Sequence, residues 1–129
     1  MRRLGDTANI ARAVYNLGAV ALEQAELDRA RACFAESLDL AREVGDPEDV
    51  VWCLIGVAAL ACDLGRLDDA SRLVGAIDAM LVSIGAAMKL NEQRLYLRTR
   101  ERLDAAAIVD DTRLTETDAV ELARAIVQA

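Results

Sequence analysis

The sequence predicts an all-α protein, a right-handed α-α superhelix of about three antiparallel helix pairs, in one domain over residues 1–129. Three observations predict it. The stretch Ala25-Glu26-Leu27-Asp28-Arg29-Ala30 recurs as Gly65-Arg66-Leu67-Asp68-Asp69-Ala70, an offset of 40 residues that Ala19 and Ala59 also keep. Self-similarity at a fixed period of this length marks a helical repeat array, in which each unit buries its apolar face against its neighbours. The composition is 54% hydrophobic but only 3% aromatic, with β-branched residues not gathered into alternating runs, which favours helix over sheet. Finally, Gly5, Gly45 and Gly85 fall on one beat. Glycine suits the left-handed residue that follows a helix's last turn.

The elements follow in order. Helix one should run from about Thr7 to Gln24, with Ile10, Val14, Leu17 and Ala21 as a stripe at helical spacing. Gly18 lies inside it and costs about 1 kcal/mol against alanine, which close approach of a neighbouring helix would explain. Helix two should span Leu27 to Val44, with Leu27, Ala30, Phe34, Leu38 and Ala41 inward. Gly45 ends it, Asp46 can cap the next helix, and Pro47 fits the first helical position. Helix three, Pro47 to Leu64, carries two apolar stripes and should touch neighbours on both sides. Helix four should run from Leu67 to Ile84, and helix five from about Met88 to Ala106 or Ala107. After the polar break Asp110-Asp111-Thr112-Arg113, the last helix starts at Thr115, with Asp118 in the place of the usual capping-box Glu. The units are thus about 7–45 and 47–85, followed by a capping pair at about 88–128. Arg2-Arg3-Leu4-Gly5-Asp6 resembles the helix end Arg42-Glu43-Val44-Gly45-Asp46, so the first residues read as the tail of a helix from a longer array.

Composition also bounds function. The net charge of −7 argues against nucleic-acid binding by this segment, since such surfaces are normally basic. Cys33, Cys53 and Cys62 are odd in number and form no C-x-x-C pair, so neither a disulfide framework nor a zinc site is supported. They read as small buried hydrophobes in a reducing, cytoplasmic setting. The chain has no His, no phosphate-binding glycine loop and no nucleophile with an evident base, so a non-enzymatic role without cofactor or metal is expected. The uncharged stretch from Val50 to Cys62 is too short to span a bilayer, which takes about 20 residues.

Leu17-Gly18, Leu27, Ala30 and Phe34 in the first unit, and Gly65, Leu67 and Ala70 in the second, resemble the tetratricopeptide repeat. The small residues Ala30 and Ala70 would allow the tight crossing within a pair, and Phe34 would fill the space beside it. The first unit departs from the pattern at Ala21 and Ala25, the second at Ala58 and Val74. The period of 40 exceeds the usual 34 or so, which implies longer helices. The last third, from Ala70-Ser71-Arg72-Leu73-Val74-Gly75-Ala76 through an Arg-rich helix to Leu114-Thr115-Glu116-Thr117-Asp118-Ala119-Val120, resembles the C-terminal end of large bacterial regulators. Those proteins join an ATPase module, repeats of about this length and often a LuxR-type DNA-binding domain. The resemblance implies a sensor or interaction part of a multidomain transcriptional regulator. The alternative is a stand-alone assembly protein whose repeats self-associate.

In such arrays the first helix of each pair lines the concave face. That register offers Arg12, Tyr15, Ala19, Leu22 and Glu23 from helix one, and Trp52, Ile55, Ala59, Cys62 and Asp63 from helix three. The resemblance implies a groove for a partner helix or peptide, anchored by Tyr15 and Trp52, unless these residues pack on helix five or on another copy. Arg94, Arg98 and Arg102 recur every fourth residue on helix five. They read either as an anion site or as a solvated face paired with Asp104, Asp110, Asp111, Glu116, Asp118 and Glu121. A homodimer through helix one is also expected, with Ile10, Val14, Leu17 and Tyr15 at the contact and a contribution from Trp52.

Overall fold

A computed structural model describes residues 4–85, 90–108 and 114–128, and all its regular elements are helices. These are α1 (Leu4–Glu23), α2 (Leu27–Val44), α3 (Pro47–Asp63), α4 (Leu67–Ile84), α5 (Leu90–Ala105) and α6 (Glu116–Gln128). The predicted start of helix five at Met88 and the Asp110–Arg113 break lie outside the described residues.

The punctuation residues act as their chemistry requires. Gly45 and Gly85 end α2 and α4 at φ 80° and 69°, their N–H groups donating to Ala41 and Leu81. The Asp46 carboxylate accepts from the Glu48 N–H at 3.0 Å, and Pro47 follows at the first helical position. Thr115 and Asp118 form a reciprocal capping box, Thr115 Oγ1 accepting from the Asp118 N–H and Asp118 accepting from the Thr115 N–H. Gly5 behaves otherwise. It and Asp6 lie inside α1, so the glycine beat at position 5 is not a helix joint.

The turns within the pairs carry a second beat. Gly65 has φ 79° between α3 and α4, and the Arg66 N–H reaches back to the Ala61 carbonyl at 2.8 Å. Ala25 holds φ 58° between α1 and α2, with the Glu26 N–H on the Ala21 carbonyl at 2.9 Å. After α5 the same turn appears at Ala107, with φ 56°. A left-handed residue with a Cβ is strained by roughly 1–2 kcal/mol, part of which glycine returns as unfolded-chain entropy. Ala25→Gly should therefore stabilise the protein by about 0.5–1 kcal/mol, read as a higher denaturation midpoint. An unchanged or lower midpoint would contradict the strain.

Consecutive helices pack as neighbours from α1 to α4. The short turns joining them make each neighbour antiparallel. α3 is the centre of the molecule: it touches all five other helices, and every residue from Val50 to Cys62 is buried. Its uniformly apolar sequence is the cause, since no face is left for water. The last two helices, expected as a capping pair, dock separately. Among the described residues they make no contact with each other. α5 lies on α3 and reaches α4, whereas α6 packs on α2, α3 and α4.

Phe34 knots the first pair to α3. Its buried ring lies where α1 and α3 both carry glycine. A Cβ on Gly18 would stand 2.8 Å from the ring, and one on Gly56 would stand 2.7 Å from it. In the second unit Ala58 replaces Gly18 and Val74 replaces Phe34. Both replacements are buried. The neighbouring polar group is satisfied. Ser37 Oγ donates to the Ala11 carbonyl at 3.0 Å, leaving the Cys53 thiol to donate to Ser37 at 3.2 Å.

The stripe predicted for α1 is only partly the buried one. Thr7, Ala11, Tyr15, Gly18 and Leu22 face the core with Ala21, while Ile10 and Leu17 face outward. The helix turns its small residues inward because α2 approaches closely there.

Candidate interaction cleft

The concave side is built from α1, α3 and α5. Helix α5 is polar and Arg-rich, and charge as well as apolar contact holds it in place. Arg102 bonds the Asp63 carboxylate and donates to the Cys62 carbonyl at 3.0 Å, while Arg98 lies 3.8 Å from the same carboxylate. Between them in sequence, Arg100 meets Asp78 of α4 at 2.6 Å. Tyr96 Oη donates to Asp78 and accepts from Arg100. Burial, and then the bond to Asp78, push the Tyr96 phenol from 10.0 up to about 12, so it remains a donor throughout the neutral range. Thr99 and Leu103 are buried beneath the helix.

This placement corrects the predicted groove. Tyr15, Leu22, Trp52 and Ile55 are core residues, each at most 4% exposed, rather than anchors open to a partner. The Tyr15 and Trp52 rings meet edge-on at 4.7 Å. The Trp52 indole N–H donates to Asp49 at 3.1 Å. Arg12 lies over the indole face and 3.9 Å from Asp49, where it closes the cluster rather than offering a free cation. Asp63 is committed to Arg98 and Arg102. Among the described residues Arg98 and Arg102 accordingly pair with Asp63 of α3, and Arg100 with Asp78 of α4, rather than with the acidic C-terminal segment. Of that segment, Asp110 and Asp111 lie outside the described residues.

The described residues leave an opening on this side. A cleft of about 280 Å³ separates α1 from α5, lined by Tyr15, Asn16, Ala19, Val20 and Glu23 on one wall and by Arg94, Leu95 and Arg98 on the other. The structure therefore brings Glu23 together with Arg94 and Arg98, two sets the sequence kept apart. Its centre is apolar, through Ala19, Val20 and Leu95, and its lips are charged with opposite signs. Neither Arg94 nor Glu23 has a partner among the described residues. Asn16, Val20 and Leu95 were not predicted here. Leu95 follows Arg94, so the helical spacing of the arginines was the available signal. Burial pushes the Cys62 thiol up, with Arg102 pulling the other way, which disfavours a thiolate nucleophile.

A profile of the tetratricopeptide repeat matches residues 6–74, more than half of the chain. The chain belongs to the tetratricopeptide repeat family. Tetratricopeptide repeats generally mediate protein–protein interaction, and the matched segment spans both Phe34 and the Gly65 turn. No curated protein and no solved structure gives a match. The tetratricopeptide fold here carries no helix, among the described residues, long and apolar enough to cross a membrane.

Proposed function

We propose that this chain is a non-enzymatic interaction scaffold whose α1–α5 cleft takes a short segment of a partner protein. The cleft supports the reading: α5 covers most of the concave side and leaves this opening with an apolar centre and two charged lips. A fitting segment places an apolar side chain over Ala19, Val20 and Leu95, a carboxylate beside Arg94 and a cation beside Glu23. Such a pairing orients the segment more than it adds affinity, since half-exposed ion pairs contribute about 0–1 kcal/mol each.

We further propose that the scaffold is the C-terminal sensor or interaction part of a bacterial multidomain transcriptional regulator, working in the cytoplasm. This part rests on the sequence resemblance of the Ala70–Val120 region. DNA contact would then belong to other domains, in keeping with the −7 charge of this one.

The test is selection of displayed peptides against the protein, followed by binding titrations. Selected peptides should carry an acidic residue next to apolar ones. Ala19→Arg, which fills the cleft, and Arg94→Glu, which inverts one lip, should each weaken them tenfold or more. Peptides that bind both variants as tightly as the parent would place the interaction surface elsewhere.

A further inference from the structure

The last residue of α1 is Glu23 and the last residue of α3 is Asp63, the same position of the two units, 40 residues apart. An acid there meets the negative end of its own helix dipole, so it gains from a cation brought by another element. Helix α5 brings Arg94, Arg98 and Arg102, about one to each turn. Asp63 holds the last two. One of its carboxylate oxygens accepts from Arg102, which is also anchored on the Cys62 carbonyl, and the other lies 3.8 Å from Arg98. Glu23 has no partner among the described residues and shares the α1–α5 cleft with Arg94 and Arg98. Arg98 therefore belongs to two places at once: it pairs with Asp63, and it forms part of the cleft wall.

We infer that Asp63 is an internal competitor of the cleft, holding Arg98 in the free protein and yielding it to a partner's carboxylate seated beside Arg94. The inference rests on the α1–α5 cleft being the partner site and adds how that site is tuned. Arg98 is the loose member of the cluster. Its distance to Asp63 exceeds the hydrogen-bond range of about 2.7–3.2 Å, and its side chain is 46% exposed. A long arginine side chain can turn toward the cleft without moving α5. Asp63 stays paired when Arg98 leaves, because Arg102 remains on it. Helix α5 also stays seated, on Thr99, Leu103 and the Arg100–Asp78 pair. Half-exposed ion pairs are individually weak, so the hold of Asp63 and the pull of a partner's carboxylate are of similar size.

Asp63 and Arg102 are then positioning residues. Neither lines the cleft, and both act through Arg98. They act with opposite signs. Removing the Asp63 charge frees Arg98 for the partner. Removing Arg102 leaves Asp63 with Arg98 alone and holds that arginine back more firmly. A purely structural role gives a different pattern, because Asp63 and Arg102 fasten α5 together and losing either would loosen the same wall.

Binding titrations with two probes test this: an acid-bearing peptide selected for the protein, and the same peptide with that acid replaced by its amide. Circular dichroism checks the helicity of each variant. Asp63→Asn, which keeps an acceptor for Arg102, should tighten the acidic peptide about two- to fivefold, and Arg102→Gln should weaken it by about the same factor. The amide peptide should bind both variants as it binds the parent. In an Arg98→Gln background, Asp63→Asn should leave the acidic peptide's affinity unchanged, which assigns the effect to Arg98. Shifts in the same direction for Asp63→Asn and Arg102→Gln would overturn the inference. So would equal shifts with the amide peptide, or a gain from Asp63→Asn that survives Arg98→Gln. An acidic peptide weakened by Ala19→Arg and Arg94→Glu but indifferent to Asp63→Asn and Arg102→Gln keeps the cleft and removes only the competitor. One indifferent to Ala19→Arg and Arg94→Glu binds elsewhere and removes both.

Discussion

Phe34→Ala is expected to lower the unfolding free energy by about 3–5 kcal/mol, the range for truncating a buried aromatic ring. The ring is 0% exposed and meets two other helices, α1 and α3. Gly18 of α1 and Gly56 of α3 approach it from two sides, and Tyr15 lies with its ring centroid 5.7 Å away. The surrounding groups are backbone and a clamped aromatic pair, so they cannot collapse into the space. The void would be retained, which puts the loss toward the upper part of the range. Urea denaturation of the variant and the parent measures it. A loss below about 1 kcal/mol would show that α1, α2 and α3 do not converge on this ring.

Gly56→Val should be the second most damaging change, by about 1–3 kcal/mol from overpacking alone. The added Cβ would stand 2.7 Å from Phe34 and 2.9 Å from Tyr15. Both rings are buried, and neither can swing aside without moving a helix. Replacing glycine within a helix would ordinarily help by a few tenths of a kcal/mol, so the clash must outweigh a favourable propensity term. The β-branch adds a second methyl on the same crowded side. Thermal denaturation should show a clear drop, and the double variant Gly56→Val with Phe34→Leu should recover part of it, because the two sites share one space. A Gly56→Val protein as stable as the parent would contradict the tight crossing.

Much of the fold was legible in sequence, for reasons tied to particular residues. Leu27–Val44 and Leu67–Ile84 were bounded correctly because Gly45 and Gly85 are left-handed caps and Asp46-Pro47 starts the next helix. The all-round apolar sequence of α3 foretold its burial. The inward face of α1 was harder. Its buried side sets the small Thr7, Ala11, Gly18 and Ala21 beside Tyr15 and Leu22, while Leu17 and Ile10 look like core and face out. Hydrophobic periodicity ranks residues by apolarity, so it favoured the wrong stripe.

The site was read less well, for a different reason. Tyr15, Trp52 and Ile55 were placed on the concave side, as the repeat register implies, but whether they are open depends on α5. Its position is set by Arg102 and Arg98 on Asp63 and by Arg100 and Tyr96 on Asp78. Those pairs join residues far apart in sequence, with no local pattern to announce them. The separation of α5 from α6 was invisible for the same reason: the Ala107 turn resembles those at Ala25 and Gly65, yet α6 packs on α2, α3 and α4 and not on α5.

In the proposed function, α5 closes the concave side and leaves the α1–α5 cleft for a partner segment. Amide chemical-shift mapping with a peptide from the selection is its most direct measurement. The account predicts perturbations centred on Asn16, Ala19, Val20 and Glu23 together with Arg94, Leu95 and Arg98, and none centred on α6. Perturbations confined to α4 and α6, with the α1–α5 residues unmoved, would contradict it.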